Sequence, residues 1–285
     1  MGFDSYLTKR HSKATVKAYK RHLEQFDHYL NGRAKVASYE QIISYLSKER
    51  KEGKGVAYIN TVLSALKKYY DYLLAAELRK DHPAYNIRLK DNKNKEINLS
   101  DLLTEEELEK LLERKERYPL LANRNKSIIG LLIYQGLKSK EISQLKIKDF
   151  DLEKGIVSVR AGNRVNGRVL KLRGEQVLTL YKYKEVDREK LLKEASDYFF
   201  IGMRGKQASQ DAITNLVTSS KKLLPGKRIS PTIIRQSVIA NLLRQNKDLR
   251  VVQVFAGHKY PSSTEMYRER SLKELKEGIE KYHPF

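Results

Sequence analysis

Three side chains near the end of the sequence could together perform chemistry on a phosphodiester. Arg235, His258 and Tyr267 follow one another at separations of 23 and 9 residues. A tyrosine hydroxyl is a weak nucleophile at its ordinary pKa and needs charge stabilisation and proton transfer. Arginine offers a bidentate fork for the non-bridging phosphate oxygens, and histidine can exchange a proton near neutral pH. These residue types are the ones that a tyrosine attacking a backbone phosphate requires.

Two helices and a glycine turn are expected to position these side chains. Ser230 and Pro231 precede an apolar helical pattern, which predicts an N-cap followed by proline at the first helical position. Arg235 then lies near the start of that helix, where helix N-termini attract anions. Gly257 is predicted to end a second, short helix directly before His258. Tyr267 is predicted to lie on a further helix beyond a polar turn.

The sequence around these residues resembles the tyrosine recombinase (phage integrase) family. The matching segments are Ser-Pro-Thr-Ile-Ile-Arg-Gln, Ala-Gly-His-Lys and Thr-Glu-Met-Tyr. The family typically has His-x-x-Arg, then Leu-Gly-His, then the same nine-residue step to a tyrosine. Thr232 stands here at the histidine of His-x-x-Arg. Its hydroxyl can hydrogen-bond a phosphate but cannot titrate near neutral pH.

A second matching segment, Gly136 to Leu145, resembles the family's Gly-Leu-Arg-x-x-Glu-Leu-x-x-Leu. Lys138 stands at the first catalytic arginine of that pattern. Lysine keeps the charge but lacks the bidentate fork, so the two residues are not equivalent. Glu141 matches the family's structural acid, for which capping of the helix N-terminus or packing is the expected role.

The segments 155–159 and 168–172 flank a Gly/Asn-rich turn and predict a β-hairpin. In the family, this hairpin carries a lysine near its tip that contacts DNA and can act as general acid. Arg164 is the nearest cation at this tip. A guanidinium binds phosphate but is a poor proton donor, so protonation of the leaving group is the step that the substitution affects.

Composition favours a polyanionic partner and excludes several kinds of site. The 285 residues include 57 Lys and Arg against 35 Asp and Glu, a net charge of +22, and no Cys. Such a charge favours nucleic acid, although a lysine-rich protein with a solvated surface also has it. Thiolate chemistry and disulfides are excluded, and the six histidines lack metal-site spacing. No membrane span or signal peptide is recognised, which predicts a cytoplasmic, nucleoid-associated protein.

The predicted fold is mostly α with a small β-hairpin or sheet, in two domains. Residues 1–85 form a helical DNA-clasping bundle, with helices predicted over 8–30, 38–48 and 58–74. Residues 86–100 are polar and charged and are interpreted as a linker. Residues 101–285 resemble the catalytic domain of the family. It opens on a capping box of Thr104 and Glu107, includes an apolar helix over 127–137, and ends in an amphipathic tail helix over 271–282.

The resemblance implies a site-specific recombinase or integrase that acts on double-stranded DNA. Tyr267 would form a 3′-phosphotyrosyl link, which conserves the bond energy, so the reaction needs neither metal nor ATP. Strand exchange would take place in a tetramer on DNA. Two alternatives stay open: a DNA-binding relative that has lost catalysis, such as a regulator of a mobile element, and a relaxing enzyme of the type IB topoisomerase kind.

Overall fold

The structure, a computed structural model, describes residues 2–89, 101–162 and 165–268. These residues are mostly helical with one three-stranded sheet, as the sequence predicted. The chain divides into two compact units, residues 1–95 and 96–285, which are described separately below. Arg164, most of the predicted linker and the predicted tail helix lie outside the described residues.

The first unit is a bundle of helices, two of which begin at serine caps. Ser12 and Ser38 each accept a hydrogen bond from a backbone N–H of the first helical turn. The helix predicted to begin at Thr8 is in fact two helices. The first ends at Thr8 and the second begins after Ser12, because the backbone of Ser12 is extended rather than helical. The helices are α1 (Phe3–Thr8), α2 (Lys13–Tyr29), α3 (Tyr39–Lys51) and α4 (Val56–Ala75).

Aromatic side chains fill the core of the first unit. Phe26, Tyr45 and Tyr70 are almost completely buried there among aliphatic residues of α3 and α4. The hydroxyl of Tyr70 donates to the backbone carbonyl of Ala34 at 2.8 Å. That bond satisfies a polar group whose burial without a partner would be costly.

The second unit is built around helix α6, which is buried over most of its length. Thr104 and Glu107 form the predicted capping box before α5, through hydrogen bonds of 2.9 and 3.2 Å. A π-helical segment, Tyr183–Asp187, joins α8 to α9. The helices are α5 (Glu105–Lys110), α6 (Ala122–Tyr134), α7 (Ser139–Gln144), α8 (Gly174–Lys182), α9 (Arg188–Leu191), α10 (Gln210–Ser219), α11 (Pro231–Arg244), α12 (Leu249–Ala256) and α13 (Ser262–Glu265).

The sheet consists of three short antiparallel strands in the order β1-β2-β3. Its strands are β1 (Phe150–Asp151), β2 (Ile156–Val159) and β3 (Arg168–Lys171). Strands β2 and β3 form the predicted hairpin, with Val157 opposite Leu170. Successive side chains of a strand point to opposite faces. In β3 the buried face therefore carries Arg168 and Leu170, while Val169 is exposed.

Helix α11, which carries Arg235, is held to the first residues of this unit. The Ser237 hydroxyl accepts the backbone N–H of Leu103 at 2.8 Å, and the Asn241 amide donates to the Leu103 carbonyl at 3.1 Å. The helix also packs against α6. None of the helices in the described part of the chain is long and apolar enough to cross a membrane.

Candidate active site

Arg235 lies buried at the centre of the site, one turn into α11. Ser230 caps this helix by accepting the N–H of Ile233 at 3.2 Å, and Pro231 occupies its first position, as predicted. The guanidinium donates to the carbonyls of Gly136 at 2.6 Å and Ala256 at 2.5 Å. These bonds fix the fork between two other chain segments and leave further N–H groups for a bound anion.

Lys138 begins the segment that Arg235 holds at Gly136. Its backbone N–H donates to the Glu141 carboxylate at 2.9 Å, so Glu141 caps α7 as expected. Lys138 as a whole residue is exposed. Partial burial of its ammonium group lowers its pKa, and the charges of Arg235 and Arg168 lower it further, whereas the charge of Glu141 raises it.

Arg168 is a buried residue of the site that sequence reasoning did not select. Its two terminal nitrogens donate to the two oxygens of Glu141, each at 3.0 Å. Burial acts to raise the pKa of Glu141, but the hydrogen bonds and charge of Arg168 hold it below its ordinary value. The signal in the sequence was strand alternation, which places Arg168 on the same face as Leu170.

Gly257 forms the turn that presents His258. Its backbone is left-handed, with φ +68°, and it ends α12 as predicted. A Cβ at this position would lie 2.7 Å from Nη1 of Arg168 and 2.9 Å from the Asn166 carbonyl oxygen. The Gly257 carbonyl also accepts the N–H of Asn166 at 2.9 Å. Only glycine therefore allows the hairpin to approach this closely.

His258 lies half-buried between the hairpin and the segment that leads to Tyr267. Its Nδ1 is 2.9 Å from Oγ1 of Thr264, which is completely buried. Burial lowers the pKa of His258 to about 4, and the charges of Arg235 and Lys138 contribute to this shift. The imidazole is therefore neutral at pH 7 in the free protein and can accept a proton.

Tyr267 follows directly after α13 and its C-cap residue Met266, rather than lying on the helix as predicted. The helix has only four residues and ends at Glu265, two positions before the tyrosine. The ring lies parallel to the His258 imidazole, with centroids 6.2 Å apart and planes at 15°. Burial raises the pKa of Tyr267, whereas the charge of Arg235 and a hydrogen bond with Gln236 lower it.

The structure brings four of the six predicted site residues into one cluster: Arg235, His258, Tyr267 and Lys138 interact electrostatically with one another or through a shared neighbour. Thr232 lies exposed in the first turn of α11, one turn before Arg235. Arg164 falls outside the described residues. Within the described ranges, no group of three or more His, Cys, Asp or Glu side chains could hold a metal ion.

Comparisons with known proteins match both units of the chain. The model described as "Phage integrase family" matches residues 101–274, and that of "Phage integrase, N-terminal SAM-like domain" matches residues 2–77. The chain is 30% identical over 280 residues to the TTE1313 protein of Caldanaerobacter subterraneus, whose name places it among the tyrosine recombinases (97% of this chain, 94% of that protein). It is 28% identical over 283 residues to tyrosine recombinase XerD of Oceanobacillus iheyensis (96% and 93%).

A solved structure has the same fold. The XerH site-specific recombinase, bound to its difH substrate in a pre-cleavage complex, superposes with a TM-score of 0.73 at 24% identity, over 93% of this chain and 78% of that chain. The family model for the larger domain alone spans more than half of the present chain. The family models for both units and the sequence relatives all indicate the same family. The chain therefore belongs to the phage integrase family of tyrosine recombinases.

Proposed function

We propose that this protein is a site-specific DNA recombinase in which Tyr267 cleaves one DNA strand and forms a 3′-phosphotyrosyl link. The observation that carries the proposal is the position of Tyr267. Its ring lies nearly parallel to that of His258, and the charge of the buried Arg235 acts to lower the pKa of its hydroxyl. Nucleophile, neutral base and fixed cation thus occupy one cluster, which is the arrangement that phosphoryl transfer to a tyrosine needs.

Arg235 stabilises the charge that develops on the transferring phosphate. Its bonds to the Gly136 and Ala256 carbonyls hold the guanidinium before substrate arrives, so little reorganisation is needed during reaction. Lys138 adds a second positive charge, and Arg164 and Thr232 are proposed as further phosphate contacts. Preorganised donors of this kind typically contribute ~3–4 kcal/mol each to transition-state stabilisation.

His258 accepts the proton of Tyr267. Its low pKa, about 4, keeps the ring neutral at the pH of the reaction. If Nδ1 donates to Oγ1 of Thr264, Nε2 carries the free lone pair. The phosphotyrosine conserves the energy of the broken bond, so rejoining requires only the attack of a 5′-hydroxyl and no ATP or metal.

The two domains have different roles on double-stranded DNA, one in binding and the other in cleavage. Residues 1–85 clasp the duplex, residues 86–100 link the domains, and residues 101–285 cleave. The net charge of +22 supports binding to the phosphate backbone. Exchange of strands joins two sites in a tetramer of this chain. The name of the relative XerD, and the DNA-bound XerH complex, support a recombination function.

Covalent trapping tests the proposal. The protein and its Tyr267→Phe variant are incubated with nicked duplexes tiled from the DNA that flanks the gene, and adducts that survive denaturant are sought. The proposal expects an adduct with the wild type and none with the variant. If the protein binds a duplex specifically and yields no adduct on it, the chain is instead a DNA-binding relative without cleavage activity.

A further inference from the structure

The proposed cleavage leaves one requirement unassigned, namely a proton for the leaving group. When the tyrosine oxygen bonds to phosphorus, the bond to the 5′ oxygen breaks and an alkoxide would form. Alkoxides leave poorly, and general acids that protonate them typically accelerate such steps ~10²–10⁴-fold. The inference that follows rests on the proposed function and concerns which side chain supplies this proton.

Most groups of the described cluster cannot supply it. The guanidinium of Arg235 stays protonated, and that of Arg168 is in addition paired with a carboxylate. His258 is neutral, with a pKa of about 4. Thr232 carries a hydroxyl that does not titrate near neutral pH. Among the described residues of this cluster, Lys138 is the group that holds a proton at neutral pH and can release it.

The position of Lys138 suits a donor. Its backbone is fixed, because Glu141 accepts its N–H at 2.9 Å, while its side chain is exposed. It lines a groove of about 680 Å³ between α7 and the hairpin, together with Gly162 and Val165, which border the hairpin tip. Lys138 therefore borders an open groove on one side and interacts through its charge with Arg235 and His258 on the other.

The charges around Lys138 favour release of its proton. Burial lowers the pKa of Lys138 most, the charges of Arg235 and Arg168 lower it further, and the charge of Glu141 opposes them. His258 is neutral and adds no charge. The groove also presents other charged side chains, which are Lys140, Lys146, Asp149 and Arg160. Asp149 is paired with Arg160, and Lys146 with Asp197 at 3.1 Å, so of these four side chains the charge of Lys140 remains uncompensated by the ion pairs of the groove.

We propose that the ammonium group of Lys138 donates a proton to the 5′ oxygen that leaves when Tyr267 attacks. The bond from the Tyr267 oxygen to phosphorus forms, and the bond from phosphorus to the 5′ oxygen breaks with its electron pair on oxygen. The ammonium proton moves to that oxygen, and the tyrosine proton moves to His258. In rejoining, the neutral amine of Lys138 takes the proton back from the attacking 5′-hydroxyl, the bond from phosphorus to the Tyr267 oxygen breaks, and His258 returns its proton to that oxygen.

A sulfur substitution tests this step. Two nicked duplexes are compared, one with an ordinary phosphodiester and one in which sulfur replaces the bridging 5′ oxygen, because a thiolate leaves without being protonated. Lys138→Ala and Lys138→Arg are expected to cleave the oxygen duplex at least ~100-fold more slowly than wild type. On the sulfur duplex the arginine variant is expected to match wild type, because it retains the charge.

The arginine variant separates proton donation from charge stabilisation. If Lys138→Arg cleaves the oxygen duplex as fast as wild type, or if its defect is equal on both duplexes, the proposal is wrong. A sulfur-rescued defect in Lys140→Arg but not in Lys138→Arg would also overturn it, by assigning the donor to the neighbouring lysine. Lys148→Arg, an exposed lysine outside the groove, is the control for a change of lysine to arginine.

Failure of this inference and failure of the proposed function give different results. If wild type forms no Tyr267-dependent adduct on either duplex, the assignment of Tyr267 as nucleophile is wrong, and the assignment of Lys138 as proton donor fails with it. If wild type forms the adduct and the Lys138 variants match it on the oxygen duplex, only the donor is wrong. Thermal unfolding and DNA affinity of each variant show whether a slow rate reflects misfolding, since sulfur rescue requires a folded protein.

Discussion

Arg168 on β3 donates one hydrogen bond to each carboxylate oxygen of Glu141 on α7, both at 3.0 Å. One of these oxygens also accepts the backbone N–H of Lys138. Arg168 in turn lies so close to Gly257 that a Cβ there would collide with it. The pair therefore joins the hairpin to the two segments that carry Lys138 and His258, and it fixes their relative positions.

Removal of Arg168 should be strongly destabilising. Its side chain is 2% exposed and that of Glu141 is 12% exposed, so Arg168→Met leaves a carboxylate without its ionic partner away from water. Breaking a buried pair in this way typically costs about 3–5 kcal/mol. We expect a loss of that size in the free energy of unfolding, measured by chemical denaturation.

Lys184→Met is the control for that variant. Lys184 also pairs with a carboxylate, that of Glu185 at 2.7 Å, but the two side chains are 37% and 42% exposed. Exposed pairs contribute little, so we expect a loss below about 1 kcal/mol. The double variant Glu141→Gln/Arg168→Met removes both charges and should regain part of the loss. Equal losses for the two methionine variants would contradict the role given to the Arg168–Glu141 pair.

Gly257→Ala should lower stability for two reasons. The left-handed backbone, φ +68°, costs alanine about 1–2 kcal/mol, and the added Cβ meets Arg168 and the Asn166 carbonyl within 3 Å. Gly226→Ala isolates the first cost, because Gly226 has φ +78° and nothing within 4 Å of its Cβ position. Chemical denaturation should show a loss at Gly257 larger by at least ~1 kcal/mol. The same loss at both glycines would contradict the close approach of hairpin and turn.

Much of the fold was predictable because its signals are local. Thr104 and Ser230 cap helices through neighbouring backbone groups, as predicted, and a cap needs only a few residues of sequence. The hairpin was also predictable, from the alternation of β-branched residues along its strands and from the Gly and Asn residues of its turn. The helices α8 to α10 were not predicted, since their burial depends on contacts with distant parts of the chain.

The site was predictable only where family spacing applied. Arg235, His258 and Tyr267 were selected by the resemblance and lie together in the structure. Arg168 was not selected from the sequence, because its partner Glu141 is 27 positions away. Thr264 was given no role, although it is buried against His258. Such pairings arise from tertiary packing, which spacing along the chain does not encode.

The stability of the protein should fall in mild acid through His258. Its pKa in the folded protein, about 4, lies below the ordinary value of 6.5, so the folded state binds this proton less readily than the unfolded chain. The contribution of His258 is therefore complete above pH 6.5 and is lost as the pH falls from there towards 4. Linkage sets the loss between pH 7 and pH 5 at about 1–2 kcal/mol. Denaturation at both pH values should show a smaller change in His258→Gln, whereas equal changes would contradict the shift.

Arg235→Lys should lose stability and cleavage together. Lysine keeps a positive charge but cannot donate to Gly136 and Ala256 and still present a fork to phosphate. Leaving buried carbonyls without their donors typically costs about 1–3 kcal/mol. Loss of a preorganised donor typically lowers the rate ~10²–10³-fold. Denaturation and adduct formation measure the two effects.

Arg188→Lys separates those two effects. Arg188 is also buried and donates to backbone carbonyls, including those of Tyr198 and Phe199, but it contacts none of the proposed catalytic residues that the structure describes. Its lysine variant should lose comparable stability and, at a temperature where both variants are folded, retain cleavage within about tenfold of wild type. A similar rate loss in both variants would show that the defect of Arg235→Lys follows from destabilisation. A rate loss confined to Arg235→Lys supports direct stabilisation of the transferring phosphate by that guanidinium.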